Sequence, residues 1–264
     1  MYRLILLLTV YIPAVFVLHA EDMARLYDAR SFAMGNCVTT QTYSYNPALL
    51  SFSQGHELTF VYYNRNGMKD MSACQVGFLC PSGFLDFGFS VSSFGNSNYR
   101  DNMLSCGGSK IINTCWTMGM FLSCHVLQLK ETDESIVSPS LDLGTVYLLS
   151  EEIKLGFSCV NIPLTNDFMR KSRYSLHTGL EWKPNDSLLF AAEVQNNAEI
   201  PVAGHLGVEY GFMETLYIRA GIRTNPLIPS VGLGYRYSLC GLDAGVAYHY
   251  VLGISPNLTL KFFI

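Results

Sequence analysis

HLGVEYGF (205–212), LYIRAGIR (216–223), SVGLGYRYS (230–238), LDAGVAYHY (242–250) and NLTLKFFI (257–264) follow one another at the end of the chain. Each stretch alternates with a period of two, the side-chain period of a β-strand. One phase is large and apolar: Leu206, Val208, Tyr210, Ile218, Val231, Leu233, Leu242, Val246, Leu258, Leu260. The other is glycine interspersed with charge: His205, Gly207, Glu209, Arg219, Gly221, Arg223, Gly232, Arg236, Asp243, His249, Lys261. A tilted strand needs about 9–11 residues to cross a bilayer, and these segments are of that order. An apolar phase against a glycine-and-charge phase is the pattern of a membrane barrel with lipid outside and a polar or close-packed interior. A soluble β-sandwich also alternates, but its solvent face is continuously polar rather than glycine-rich.

The rest of the chain agrees with this reading. Charged residues make up 14% of the 264 residues, against roughly 25% in soluble domains, which disfavours a water-facing surface. Tyr and Phe number 16 each, and Tyr suits membrane–water interfaces. The net charge of −4, with no basic run, argues against a nucleic-acid partner. Arg3, the apolar run Leu4 to Leu18 and the small Ala20 read as a secretory signal over residues 1–20. No later stretch is a helical transmembrane candidate. The eight cysteines show neither CxxC nor Cys/His metal spacing; several, among them Cys74, Cys124 and Cys159, fall in apolar phases, and the cysteines are expected as outward-facing apolar residues rather than disulfides.

Residues 21–55 lack alternation but carry Phe32, Met34, Leu49, Leu50 and Phe52, so they are expected to pack inside the barrel as a plug. Asn46-Pro47-Ala48 is its turn motif, with Pro47 suited to start a short helix. Residues 56–264 then form the barrel of about fourteen antiparallel strands, an all-β transmembrane fold in the cell outer membrane. The least legible stretch is 95–112, polar and broken by Gly107-Gly108, which reads as one weak strand. His125, His177, His205 and His249 fall in inward phases, as do Glu181, Glu193, Glu209, Arg219, Arg223, Arg236, Asp243 and Lys261. These lumen-facing groups are expected to form a paired polar network. No GxSxG, HExxH or P-loop pattern occurs, so no enzyme activity, cofactor or metal is expected.

ARSFAMG (29–35) followed by YNPALL (45–50), together with the ordered C-terminal stretches above, resembles the PorV/PorQ outer-membrane proteins, a branch of the FadL-like barrels. LDLGTVY (141–147) and KLGFSCVNIP (154–163) are similar to that family's middle strands. The resemblance implies fourteen strands, an N-terminal plug containing the NPA motif and a Bacteroidetes-type outer membrane. It implies a partner-binding role in type IX secretion or surface attachment, with secretion components or exported cargo as partners besides membrane lipid. The alternative it implies is a FadL-like channel for uptake or export of a hydrophobic small molecule.

Overall fold

A computed structural model of the chain describes residues 24–53, 55–130, 134–165, 174–197 and 201–264; the expected signal, residues 1–20, lies outside them. Among the described residues fourteen strands follow in sequence. They are β1 (Glu57–Asn64), β2 (Ser72–Cys80), β3 (Asp86–Gly95), β4 (Tyr99–Asn113), β5 (Trp116–Leu129), β6 (Glu134–Leu148) and β7 (Ile153–Pro163). After these come β8 (Ser175–Asn185), β9 (Leu188–Asn197), β10 (Ala203–Gly211), β11 (Leu216–Arg223), β12 (Ile228–Tyr237), β13 (Cys240–His249) and β14 (Gly253–Phe263). Each pairs antiparallel with its chain neighbours, and β1 closes on β14 from Glu57↔Phe263 to Tyr63↔Asn257. A closed ring leaves no strand edge unpaired, which is what hydrocarbon requires of a β-structure. The mouth holding Glu57 and Phe263 is the terminus-side mouth; the other is the far mouth.

The alternation becomes two faces. Leu206, Val231 and Leu233 are outward and exposed, whereas His205, Glu209, Arg219 and Asp243 are inward and buried. No described helix is long and apolar enough to cross a membrane; the strands present the apolar band. The wall is uneven in height. β4 and β6 run 15 residues each and β5 14, while β11 has 8.

The stretch read as one weak strand is thus part of β3 and most of the long β4. Its signal is faint because its phases are inverted in size. The inward phase holds Met103 with Ser105 and Ser109, while the outward phase shrinks to Cys106 and Gly108 and then carries Lys110. Strand β8 continues through Pro184 and Asn185 to the tight turn before β9. All eight cysteines are free thiols; Cys74, Cys106 and Cys240 are exposed on the outward face, and Cys37 departs from expectation by lying buried inside.

The described residues from Ala24 to Ser53 thread the lumen. Helix α1 (Ala29–Ala33) is capped by Asp28, whose carboxylate accepts from the Ser31 amide at 2.9 Å. A 3-10 helix spans Pro47–Phe52, with Asn46 as its cap. Helix α1 packs on β11 to β14, and the 3-10 helix packs on β3 to β6.

Candidate functional site

The site is the lumen, where the inner segment meets two unlike walls. The first wall, β6 to β14, holds it by charge. Arg25 reaches Asp142 at 2.8 Å and Asn161 at 3.0 Å. Arg30 makes a bidentate pair with Glu209, at 2.7 and 2.8 Å. Glu209 also accepts from Arg219 at 2.5 Å, and Arg219 reaches Asp243 at 2.6 Å. This two-sign chain is how buried charge survives: each group's lost hydration is replaced by charged hydrogen bonds. Lys261 lies 3.5 Å from both Asp28 and Glu57. Burial alone would raise the Asp28 carboxyl; the Lys261 ammonium and the bonds from Ser31 outweigh it and hold it below its ordinary 3.8.

Glu193 anchors the turn after α1. One oxygen accepts from the amides of Val38 and Thr39 at 2.7 and 2.8 Å. The other meets His177 Nδ1 at 2.8 Å, and His177 Nε2 lies 2.9 Å from Ser175 Oγ. Because the carboxylate only accepts, Nδ1 is the donor of that bond, and in the neutral ring Nε2 accepts from the serine. Ser175 and His177 stand two apart on β8, but Glu193 joins them only through β8–β9 pairing, so the sequence did not show the full arrangement. The order serine–imidazole–carboxylate resembles a nucleophile relay. Here Ser175 and His177 are buried, with the Tyr45 ring 5.6 Å from the imidazole. The relay therefore holds the inner segment. His205 Nδ1 meets the Gly35 carbonyl at 2.6 Å and must be its donor.

At that point three backbones touch. Gly35 has φ +72°, and a Cβ on it would lie 2.6 Å from the Ile222 carbonyl oxygen and 2.7 Å from the Leu206 one. A Cβ on Gly221 would strike the Met34 and Gly35 backbone, and one on Gly207 would sit 2.6 Å from Met34. Asn46 is fully buried; its side chain accepts from the Ala48 amide at 3.2 Å and donates to the carbonyls of Thr39 and Thr145 at 2.7 and 3.2 Å. Pro47 presses its backbone on Gly119, where a Cβ would lie 2.5 Å away, and Ala48 is fully buried beside it.

The second wall, β1 to β5, differs. Among its described inward residues, charge is confined toward the mouths: Glu57 and Asp86 at one, Asp101 with His125 (3.7 Å) at the other. Between them lie Ser90, Ser92, Ser105 and Ser123. The inner segment meets this wall through two apolar clusters, Leu26 with Val61, Ala73 and Phe94, and Leu50 with Leu79 and Phe121. Few polar contacts cross here, among them Ser92 to the Ala24 carbonyl at 2.6 Å, Gln75 to Ser44 at 3.1 Å and Ser51 to Ser109 at 2.5 Å. An uncharged seam, lined by small hydroxyl groups at its middle with an apolar cluster toward each mouth, thus runs between the mouths.

Among solved structures, the CymD monoaromatic hydrocarbon channel superposes with a TM-score of 0.70 at 15% identity, covering 93% of this chain and 99% of its own. The toluene transporter TodX of Pseudomonas putida gives 0.64 at 13%, covering 91% and 99%. A FadL homologue of Pseudomonas aeruginosa gives 0.64 at 12%, again 91% and 99%. The fold is that of the FadL-type barrels. No protein-family model and no curated protein sequence matches the chain.

Within this FadL-type barrel the residues singled out from the sequence divide. His177, Glu181, Glu193, His205, Glu209, Arg219 and Asp243 are buried in the lumen, and Lys261 is half-buried there. Glu181 takes Lys154 at 3.0 Å and the Gln41 amide. Arg223 and His249 are partly exposed near the far mouth. Arg236 corrects the reading: it shares the inward phase but is exposed at the terminus-side mouth, its guanidinium against the rings of Tyr217 and Phe263. Arg236 is the next-to-last residue of β12, so its side chain lies where the wall opens at the mouth.

Proposed function

We propose that this protein is an outer-membrane channel for a hydrophobic small molecule, held shut in this conformation by the inner segment acting as a plug. The observation that carries the reading is the divided lumen. Charge pins the segment to β6–β14, while its other side rests on small and apolar residues. An apolar solute passing along that seam would displace side-chain contacts worth a few tenths of a kcal/mol to about 1 kcal/mol each. Passing along the charged wall would break buried pairs costing about 3–5 kcal/mol each. The seam is the cheaper path. CymD and TodX are described as hydrocarbon and toluene carriers, which supports the same solute class. The type IX partner role implied by the PorV/PorQ resemblance draws no support from these barrels, so the channel reading is preferred.

The test is uptake of a radiolabelled monoaromatic hydrocarbon and of a long-chain fatty acid by Gram-negative cells expressing the full chain. Expression should raise initial uptake of at least one above vector control. Unchanged uptake of both, with folded heat-modifiable protein in the outer membrane, refutes the channel. Deleting residues 23–53 should raise planar-bilayer conductance sharply from near zero; an already high conductance in the intact protein removes the plug.

A further inference from the structure

The outside of the barrel carries a dent that its membrane role does not require. A groove of about 830 Å³ runs along the outward face of β4. It exists because β4 places Cys106 and Gly108 outward between bulky neighbours, with Phe87 and Phe89 on β3 and Met118 and Met120 on β5. Adjacent strands lie about 4.8 Å apart, so β3 and β5 stand roughly 9.6 Å apart across a floor of small residues, with the Leu85 side chain lying on Gly108. From Cys106 to Lys110 the groove extends about 14 Å.

Its terminus-side end is Lys110. Among the described strand residues the outward phase carries charge at two places, Arg100 at the far mouth and Lys110. Lys110 pairs in register with Met118, one outward position inside Trp116, whose indole donates to Thr145 at 2.6 Å in the manner of an interfacial belt residue. The Lys110 ammonium sits over the Phe84 ring at 4.0 Å and makes no ion pair with the described residues. A lone cation facing lipid is costly unless it reaches an anion at the interface.

We propose that the groove seats one anionic phospholipid of the terminus-side leaflet, with its phosphate on Lys110 and an acyl chain lying along β4 past Leu85 and over Cys106. An acyl chain fills an apolar channel one strand wide, and the phosphate supplies the counter-ion that the described residues do not. The inference requires that the chain spans a membrane but is independent of what crosses it.

Trp116 reports on the site, and Trp182, on β8, serves as a distant control. The full chain would be reconstituted in vesicles of brominated phosphatidylglycerol mixed with unlabelled phosphatidylcholine, and in the converse mixture, as the Trp182→Phe and Trp116→Phe variants. Quenching of Trp116 should show an about fivefold preference for phosphatidylglycerol, the effect of one lysine near anionic lipid. The Trp182 signal should show none. Lys110→Gln should remove the preference, Lys110→Arg should keep it, and Cys106→Phe should lower quenching by both lipids. Equal quenching of Trp116 by both lipids, a preference that survives Lys110→Gln, or the same preference at Trp182 would overturn the assignment.

Discussion

Replacing Gly221 by alanine adds one methyl to the inward face of β11. The methyl would overlap the backbone of Met34 and Gly35, with the Met34 Cα 2.7 Å from it. Backbone meets backbone there, and β11 is hydrogen-bonded on both sides, so the wall cannot yield. If the inner segment stays in place, overpacking costs about 1–3 kcal/mol. If it lifts, it gives up the bonds of Gly35 with Ser230 (3.1 Å) and His205 (2.6 Å) and strains the Arg30–Glu209 pair (2.7 Å), at about 0.5–1.5 kcal/mol each. The routes are comparable, so the segment should sample a lifted state rarely populated in the parent. The control is Gly204→Ala, whose methyl would meet only the Thr224 hydroxyl at an ordinary 3.6 Å. Planar-bilayer recording should show frequent opening events in Gly221→Ala, and the temperature of its heat-modified gel shift should fall, with Gly204→Ala unchanged. Indistinguishable behaviour of the two variants in both assays would refute the account of the glycine crossing.

Arg219→Met takes from Asp243 its guanidinium partner and leaves Glu209 with Arg30 alone, and urea titration in detergent should show a loss of about 3–5 kcal/mol. Ile218→Arg, on the lipid face, should cost about 2–4 kcal/mol if near the bilayer midplane, whereas Arg at the loop residue Asn66 should be tolerated. Asp28 has its pKa lowered in the folded state, so its stabilising contribution is present above 3.8 and is lost as pH falls below that through the folded value. Conductance of the intact protein should therefore begin to rise only below about pH 3.8, and Asp28→Asn should remove that step. Burial, aided by the Glu193 charge, pushes the Cys37 thiol well above its ordinary 9.0. With the other cysteines replaced, Cys37 should resist iodoacetamide at pH 8 until the barrel unfolds, and labelling at a free-thiol rate would contradict its burial.

Period-two alternation made the barrel legible from the sequence, because side-chain direction in a strand depends only on residue parity. Leu206, Ile218, Leu233 and Leu258 could be placed on lipid without knowing a single partner strand, and the Asn46-Pro47 cap is likewise local chemistry between a side chain and an amide two residues on. Strand β4 read only as a weak strand because its middle outward residues, Cys106 and Gly108, are small and Lys110 sits where an apolar residue was expected. Parity also assigned Arg236 to the interior, since parity says nothing of how near a residue lies to a mouth. What only the tertiary structure decided is pairing across distance. Arg30 with Glu209 spans 179 positions, and Arg25 with Asp142 spans 117. Such partners are set by barrel closure and by where a non-repeating segment lies within it, and neither leaves a periodic trace in the chain. The same holds for the contact of Gly35 with Gly221. Each glycine alone reads as a gap in its own segment, and the packing of one backbone on another appears only when the ring of strands has closed around both.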